Sequence, residues 1–125
     1  MERIAMESLY KWKESRRRKP LIIEGARQVG KTWLMREFGS RAYADTVYIN
    51  FDSNSQMAEL FASDLNIDRL IMGIELYTGR KIVPDDTLLI FDEVQEVPRA
   101  LSALKYFYEN APQYHIVCAG SMLGI

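Results

Sequence analysis

The chain has 125 residues, of which 48% are hydrophobic and 26% are charged, and its formal net charge is −1 at pH 7. These values are typical of one globular domain, and they exclude a protein whose overall charge draws it to nucleic acid or to anionic membranes. The single cysteine, Cys118, cannot form an internal disulfide and is expected to be a small core residue. No apolar run approaches the roughly 18 residues of a membrane span, and the N-terminus lacks a signal-peptide pattern. We therefore expect a cytoplasmic protein with no membrane partner.

The first segment is expected to form a modest amphipathic helix over residues 2–14, where apolar residues recur at helical spacing. A basic run, Arg16–Lys19, follows and is ended by Pro20. Basic residues without interleaved aromatic side chains give little support for a nucleic-acid contact. We interpret the run as a solvated linker and leave nucleic acid open as a partner.

The stretch Gly25-Ala-Arg-Gln-Val-Gly-Lys-Thr32 matches G-x-x-x-x-G-K-[ST], the phosphate-binding P-loop pattern. It follows Leu21–Ile23, which predicts a buried strand, and it leads into a predicted helix over Lys31–Phe38. In this setting the backbone N–H groups of the loop and the helix N-terminus attract phosphate. Lys31 can reach the β- and γ-phosphates, and the Thr32 hydroxyl can ligate magnesium. The predicted nucleotide-binding residues are Gly25, Ala26, Arg27, Gln28, Val29, Gly30, Lys31, Thr32 and Trp33.

Strands and helices are predicted to alternate through the rest of the chain. The patterns indicate strands over Val47–Phe51, Thr87–Phe91 and His115–Ala119, and helices over Ser55–Ala62, Asp68–Tyr77 and Arg99–Asn110. Ser55 and Asp68 are the expected caps of the first two of these helices, and His115 is expected to be structural. The alternation predicts a parallel sheet with right-handed crossovers, so ligands should lie beyond the carboxyl ends of the strands.

Polar residues follow two of these strands at the edge of the sheet where the P-loop is expected. Asp92 comes directly after an apolar strand, which is the Walker B arrangement that places a carboxylate beside magnesium. Glu93 is placed to orient or deprotonate the water that attacks the γ-phosphate. Ser121 is a candidate sensor of that phosphate or of the water. The role of Gln95 is left open: it could take part in catalysis, cap a helix or simply be exposed at the surface.

The same residues distinguish between nucleotides and between functions. A GTPase would be expected to show D-x-x-G followed by N-K-x-D, whereas this chain has Asp92-Glu-Val-Gln95 and no N-K-x-D. ATP is therefore favoured, although the sequence contains no motif that recognises the adenine base. Three functions are compatible with the motifs: an ATPase core, a regulatory module that binds ATP with negligible hydrolysis, and a P-loop phosphotransferase. Glu93 argues against the last, because an acceptor substrate would replace water.

The segments GARQVGKT, LLIFDEVQEVP and a strand ending in AGS resemble, in order and spacing, the prokaryotic AAA+ superfamily ATPases with G-x-RQVGKT and DE-[VI]-Q signatures. The resemblance covers nearly the whole chain. It implies an α/β fold of the P-loop NTPase type: three α/β/α layers, a mostly parallel sheet of the additional-strand kind in the order 5-1-4-3-2, and ATP at the switch point. It also implies phosphate and magnesium binding by Lys31 and Thr32, a Walker B role for Asp92, a catalytic role for Glu93 and a sensor role for Ser121.

The resemblance carries an expectation about completeness, because members of this group continue beyond the length of this chain. It implies that residues 1–125 are the ATPase core of a longer protein, ending after the fourth core strand. Such a chain would lack the family's lid and arginine finger, and an arginine finger is worth roughly 10³ to 10⁵ in rate. We therefore expect ATP binding with weak hydrolysis. Leu21–Ile23 would be an uncovered apolar edge, which predicts self-association or AAA+-like oligomerisation.

Overall fold

The computed structural model describes residues 2–23 and 29–120, and within these ranges every predicted helix and strand is present. The helices are α1 (Glu2–Glu14), α2 (Val29–Ala42), α3 (Ser55–Ala62), α4 (Ile67–Thr78) and α5 (Pro98–Asn110). The strands are β1 (Leu21–Ile23), β2 (Asp45–Asn50), β3 (Thr87–Asp92) and β4 (His115–Ala119), and a short 3₁₀ helix covers Val94–Glu96. In the part of the chain so described, no helix combines the length and apolar character needed to cross a membrane.

The described strands form one four-stranded parallel sheet in the order β1-β4-β3-β2, which agrees with the 1-4-3-2 part of the expected order 5-1-4-3-2. All six residues of β3 are buried, as its continuous apolar pattern predicted. The prediction that β1 is a buried strand is wrong, since Ile22 is 38% exposed. The reason is that β1 pairs only with β4 among the described strands and therefore lies at an edge of the sheet.

Side chains on the two faces of the sheet pack into two separate cores, because successive strand residues point to opposite faces. Leu89 and Phe91 of β3 belong to the core that contacts α3, α4 and α5. Leu88 and Ile90 belong to the core formed with α1 and α2. Cys118 is buried in the first core, as expected from the sequence. The result is a sheet between two helical layers, with helix α2 packed across β2, β3 and β4.

Two helix caps differ from the sequence prediction. Helix α3 is capped by Asn54 rather than Ser55, and the Asn54 Oδ1 accepts a hydrogen bond of 3.0 Å from a backbone N–H of the first turn. Helix α4 is capped by Asn66 rather than Asp68, through an equivalent bond of 2.9 Å. Asparagine is as good an N-cap as serine or aspartate, so local preference does not choose between near neighbours.

A chain of polar contacts lies at the amino ends of the strands, with Tyr43 and His115 buried and Asp85 exposed. The Tyr43 hydroxyl contacts His115 Nδ1 at 2.5 Å, and His115 Nε2 contacts Asp85 Oδ1 at 3.0 Å. Burial lowers the pKa of His115, which favours the neutral imidazole that accepts from Tyr43 and donates to Asp85. Arg18 lies 3.8 Å from Asp85 and donates to the carbonyl of Pro112. This arginine of the basic run is therefore packed on the domain and is not part of a solvated linker.

Candidate functional site

The first turn of α2 places the end of the P-loop motif at the carboxyl edge of the sheet. Gly30, Lys31 and Thr32 lie in this turn, and the side chains of Lys31 and Thr32 are half-buried. The first turn itself contains no acidic residue, and the partial positive charge of a helix N-terminus favours an anion. A Cβ added at Gly30 would meet no atom of the described residues within 4 Å. The described residues thus leave space beside this backbone, as close approach of a phosphate requires.

Asp92, the last residue of β3, accepts hydrogen bonds from three donors. Its Oδ2 accepts from Thr32 Oγ1 at 2.8 Å and from the Tyr48 hydroxyl at 2.7 Å, and its Oδ1 accepts from the Glu93 backbone N–H at 3.0 Å. The residue is 7% exposed. Both oxygens of a nearly buried carboxylate are therefore held, and its orientation is fixed from three elements of the fold.

Tyr48 is a further residue of this candidate site, and the sequence pattern marks it only as part of a strand. Burial, with the hydrogen bond to Asp92 and its charge, raises the pKa of Tyr48 to about 12, so its hydroxyl remains a donor at neutral pH. The Arg36 guanidinium lies 3.9 Å from the centroid of the tyrosine ring, a cation–π contact. The signal that could have found it is positional. Tyr48 precedes Asn50 by two residues, and Asn50 pairs with Asp92 across the sheet.

Glu93 follows Asp92 in a left-handed backbone conformation, with φ 52° and ψ 43°. A non-glycine residue in this region costs on the order of 1 to 3 kcal/mol, and such residues are concentrated at functional sites. Its carboxylate Oε1 accepts a 2.9 Å hydrogen bond from Gln95 Nε2. The turn therefore gives the two adjacent carboxylates different partners, since Asp92 binds Thr32 and Tyr48 whereas Glu93 binds Gln95.

The structure brings some of the predicted site residues together and leaves others elsewhere. Thr32 and Asp92, the two predicted magnesium ligands, are in direct contact. Trp33 instead lines a groove of about 360 Å³ between α1 and α2, together with Met6 and Tyr10. The remaining predicted site residues that lie outside the described ranges, and whose roles stay predictions, are Gly25, Ala26, Arg27, Gln28 and Ser121.

The oxygen atoms of Thr32 and Asp92 at the carboxyl edge of the sheet are of the kind that binds magnesium. Hydroxyl and carboxylate oxygens are the ligands that Mg²⁺ prefers, and the ion usually keeps several waters alongside one or two protein groups and phosphate oxygens. Thr32 and Asp92 supply one oxygen of each kind within hydrogen-bond distance. Among the described residues, no group of three or more His, Cys, Asp or Glu side chains is arranged to hold a metal ion. A magnesium site here would therefore be completed by waters and phosphate.

Comparison with known proteins identifies the family to which this domain belongs. A family model described as an AAA domain matches residues 17–125, which is most of the chain, so the chain belongs to the AAA domain family, a family of nucleotide-binding domains of ATPase type. Among solved structures, that of PCH-2 from C. elegans aligns over 99% of this chain with a TM-score of 0.54 and 14% sequence identity. This chain spans 37% of that chain, and at such identity the likeness shows the fold alone. The fold is that of an AAA+ P-loop core. A search of curated protein sequences finds no significant match.

Proposed function

We propose that this domain binds ATP together with magnesium and hydrolyses the γ-phosphate. The observation that carries the proposal is the 2.8 Å hydrogen bond from Thr32 Oγ1 to Asp92 Oδ2. It joins the helix that ends the phosphate-binding motif to the acidic end of the central strand, which are the two parts that a P-loop NTPase places around its metal. Membership of the AAA domain family supports nucleotide binding by an ATPase-type domain.

Each residue of the edge has a distinct role in this proposal. Lys31 and the N-terminus of α2 would bind the terminal phosphates, and Thr32 and Asp92 would hold magnesium. The ion, when bound, would neutralise charge on the phosphate oxygens. Tyr48 and the Glu93 N–H would keep Asp92 oriented while the Thr32 hydroxyl serves as a ligand, because both donate to the carboxylate independently of Thr32.

Glu93 is the proposed general base. The water oxygen forms a bond to the γ-phosphorus, the bond from that phosphorus to the β–γ bridging oxygen breaks, and ADP leaves with the electron pair. A proton of the water passes to the Glu93 carboxylate. The left-handed turn supports this division of labour, because it gives Glu93 partners separate from those of the metal-binding carboxylate.

The test is the variant Glu93→Gln, which keeps the shape of the side chain and removes the base. We expect phosphate release to fall by about 10² to 10⁴, with ATP affinity retained. Single-turnover phosphate release with no added acceptor measures the rate, and this format detects slow hydrolysis. Glu109→Gln, an exposed glutamate on α5, is the matched control and should react at the wild-type rate.

Each contrary result identifies what is wrong. ATP binding without phosphate release by the wild-type chain would point to a regulatory nucleotide-binding module. Phosphoryl transfer that occurs only with an added acceptor would point to a phosphotransferase. Wild-type rates in Glu93→Gln would remove Glu93 from the mechanism while leaving the nucleotide site in place.

A further inference from the structure

The amide of Gln95 has one paired end and one unpaired end. Its Nε2 donates to Glu93 Oε1 at 2.9 Å and lies 3.4 Å from Glu96 Oε2. Its Oε1 is buried and has no hydrogen-bond partner among the residues that the structure describes. Two carboxylates face the same end of the amide, so that end must carry the NH₂ group, because the reverse orientation would set three acceptor oxygens against one another. Gln95 Oε1 is therefore unpaired because the amide is oriented so that Nε2 donates to Glu93.

Two of the three roles left open for Gln95 do not agree with its surroundings. It lies in the 3₁₀ helix that directly follows Glu93, and the N-cap of α5 is Val97, with no side-chain capping bond. Gln95 is also only partly exposed. It therefore neither caps the helix nor stands free at the surface, and its strongest contact is with the proposed base.

An unpaired buried acceptor destabilises a fold, because the group gives up its hydrogen bonds to water and gains none in return. Among the described residues, the other buried side-chain atom without a partner is Arg18 Nε. That guanidinium donates through its remaining nitrogens to the carbonyls of Lys13 and Pro112, so its contribution to the fold is evident. Gln95 shows no comparable bond to the backbone in the described chain. The orientation of the Gln95 amide instead gives a hydrogen bond to the Glu93 carboxylate.

We propose that Gln95 is a positioning residue for hydrolysis, whose amide N–H fixes the Glu93 carboxylate through Oε1 and leaves Oε2 to the attacking water. This inference rests on the proposed function, in which Glu93 is the base. Glu93 has a long side chain and a strained backbone, so the Gln95 bond supplies the orientation that its own turn does not. Displacement of a reacting group by about 1 Å can lower a rate by about 10².

The variant Gln95→Met tests the proposal, because it removes the amide and keeps the length of the side chain. We expect the single-turnover rate to fall about 10- to 100-fold with KM for ATP unchanged. We also expect the Tm of the nucleotide-free protein to stay the same or rise, because the unpaired oxygen is removed with its donor. A merely structural glutamine predicts the opposite pattern, a lower Tm with little change in rate. Gln56→Met, at an exposed position on α3, is the matched control.

A second variant, Gln95→Glu, replaces the donor that faces Glu93 by an acceptor and should slow hydrolysis at least as much as Gln95→Met. A wild-type rate in Gln95→Met would overturn the inference, and so would a slower rate accompanied by a raised KM or a lowered Tm. Measurements on the wild-type chain distinguish a failure of the proposed function from a failure of the role of Gln95. If it fails to bind ATP or to release phosphate, the proposed function fails and this inference fails with it. If it hydrolyses ATP and Gln95→Met does so equally, only the role of Gln95 is refuted.

Discussion

The two edges of the parallel sheet each carry a polar network, and the networks differ in what accompanies the unpaired atom of each. At the amino edge, Tyr43, His115 and Asp85 form a chain in which each link joins a donor to an acceptor. At the carboxyl edge, Gln95 leaves a buried oxygen without a partner, and Glu93 has a left-handed backbone. Both networks link the ends of neighbouring elements. At the amino edge the unpaired Arg18 Nε belongs to a guanidinium whose other nitrogens donate to backbone carbonyls, whereas the amide of Gln95 has no such bond to the backbone among the described residues.

Backbone strain alone does not make this difference. Asp85 also has a positive φ, of 67°, but aspartate is several-fold enriched in the left-handed region because its short side chain bonds locally. Glutamate has no such advantage, so the turn at Glu93 is the costlier one. Proteins tolerate unpaired and strained groups mainly where function requires them. The comparison therefore supports a structural role for the amino edge and agrees with the catalytic role proposed for the carboxyl edge.

The largest effect is expected from Asp92→Asn, which removes the charge at the centre of the carboxyl edge. We expect magnesium to bind at least 10- to 100-fold more weakly, as when groups that support metal sites are altered. A magnesium titration of ATP binding measures this loss. If Asp92→Asn kept wild-type magnesium affinity, or if it reproduced the behaviour of Glu93→Gln, the separate roles of the two carboxylates would be wrong.

A smaller and more discriminating effect comes from deleting one hydroxyl at each edge. Tyr48→Phe and Tyr43→Phe each remove one hydrogen bond, to Asp92 and to His115, and each should lower the free energy of unfolding by about 1 to 3 kcal/mol. Only Tyr48→Phe should also weaken binding of magnesium and ATP. Urea unfolding and calorimetry on the same samples make the comparison. Equal losses of nucleotide affinity in both variants would show that the two edges do not have separate functions.

The smallest effect is the pH dependence of the amino edge. Burial lowers the pKa of His115 from its ordinary value of 6.5, so between the two values the unfolded chain binds more protons than the folded one. Stability from this group is fully present above pH 6.5 and is lost as the pH falls from there through the folded-state pKa. Urea midpoints between pH 7.5 and 5.5 should fall for the wild type and fall less for His115→Gln. Equal slopes for the two proteins would contradict this reading of the amino edge.

Sequence reasoning placed the helices and strands well because their hydrophobic periods are strong and are interrupted by turn residues. It also paired Thr32 with Asp92, since both belong to motifs whose residues have fixed roles around one metal. It did not identify Tyr48, because the contact with Asp92 depends on the register between β2 and β3, which the hydrophobic pattern does not give. The left-handed turn at Glu93 was equally hidden, since glutamate has no preference for it and only the surrounding fold imposes it.

The central claim is that the edge formed by α2 and β3 is a magnesium and ATP site, and calorimetric titration of ATP tests it most directly. The wild-type chain should bind ATP saturably and more tightly with magnesium than without it. Lys31→Ala should lose this binding, because it removes the cation that faces the terminal phosphates. Lys105→Ala, at an exposed lysine on α5, should bind as the wild type does. Unchanged ATP affinity in Lys31→Ala would contradict the account.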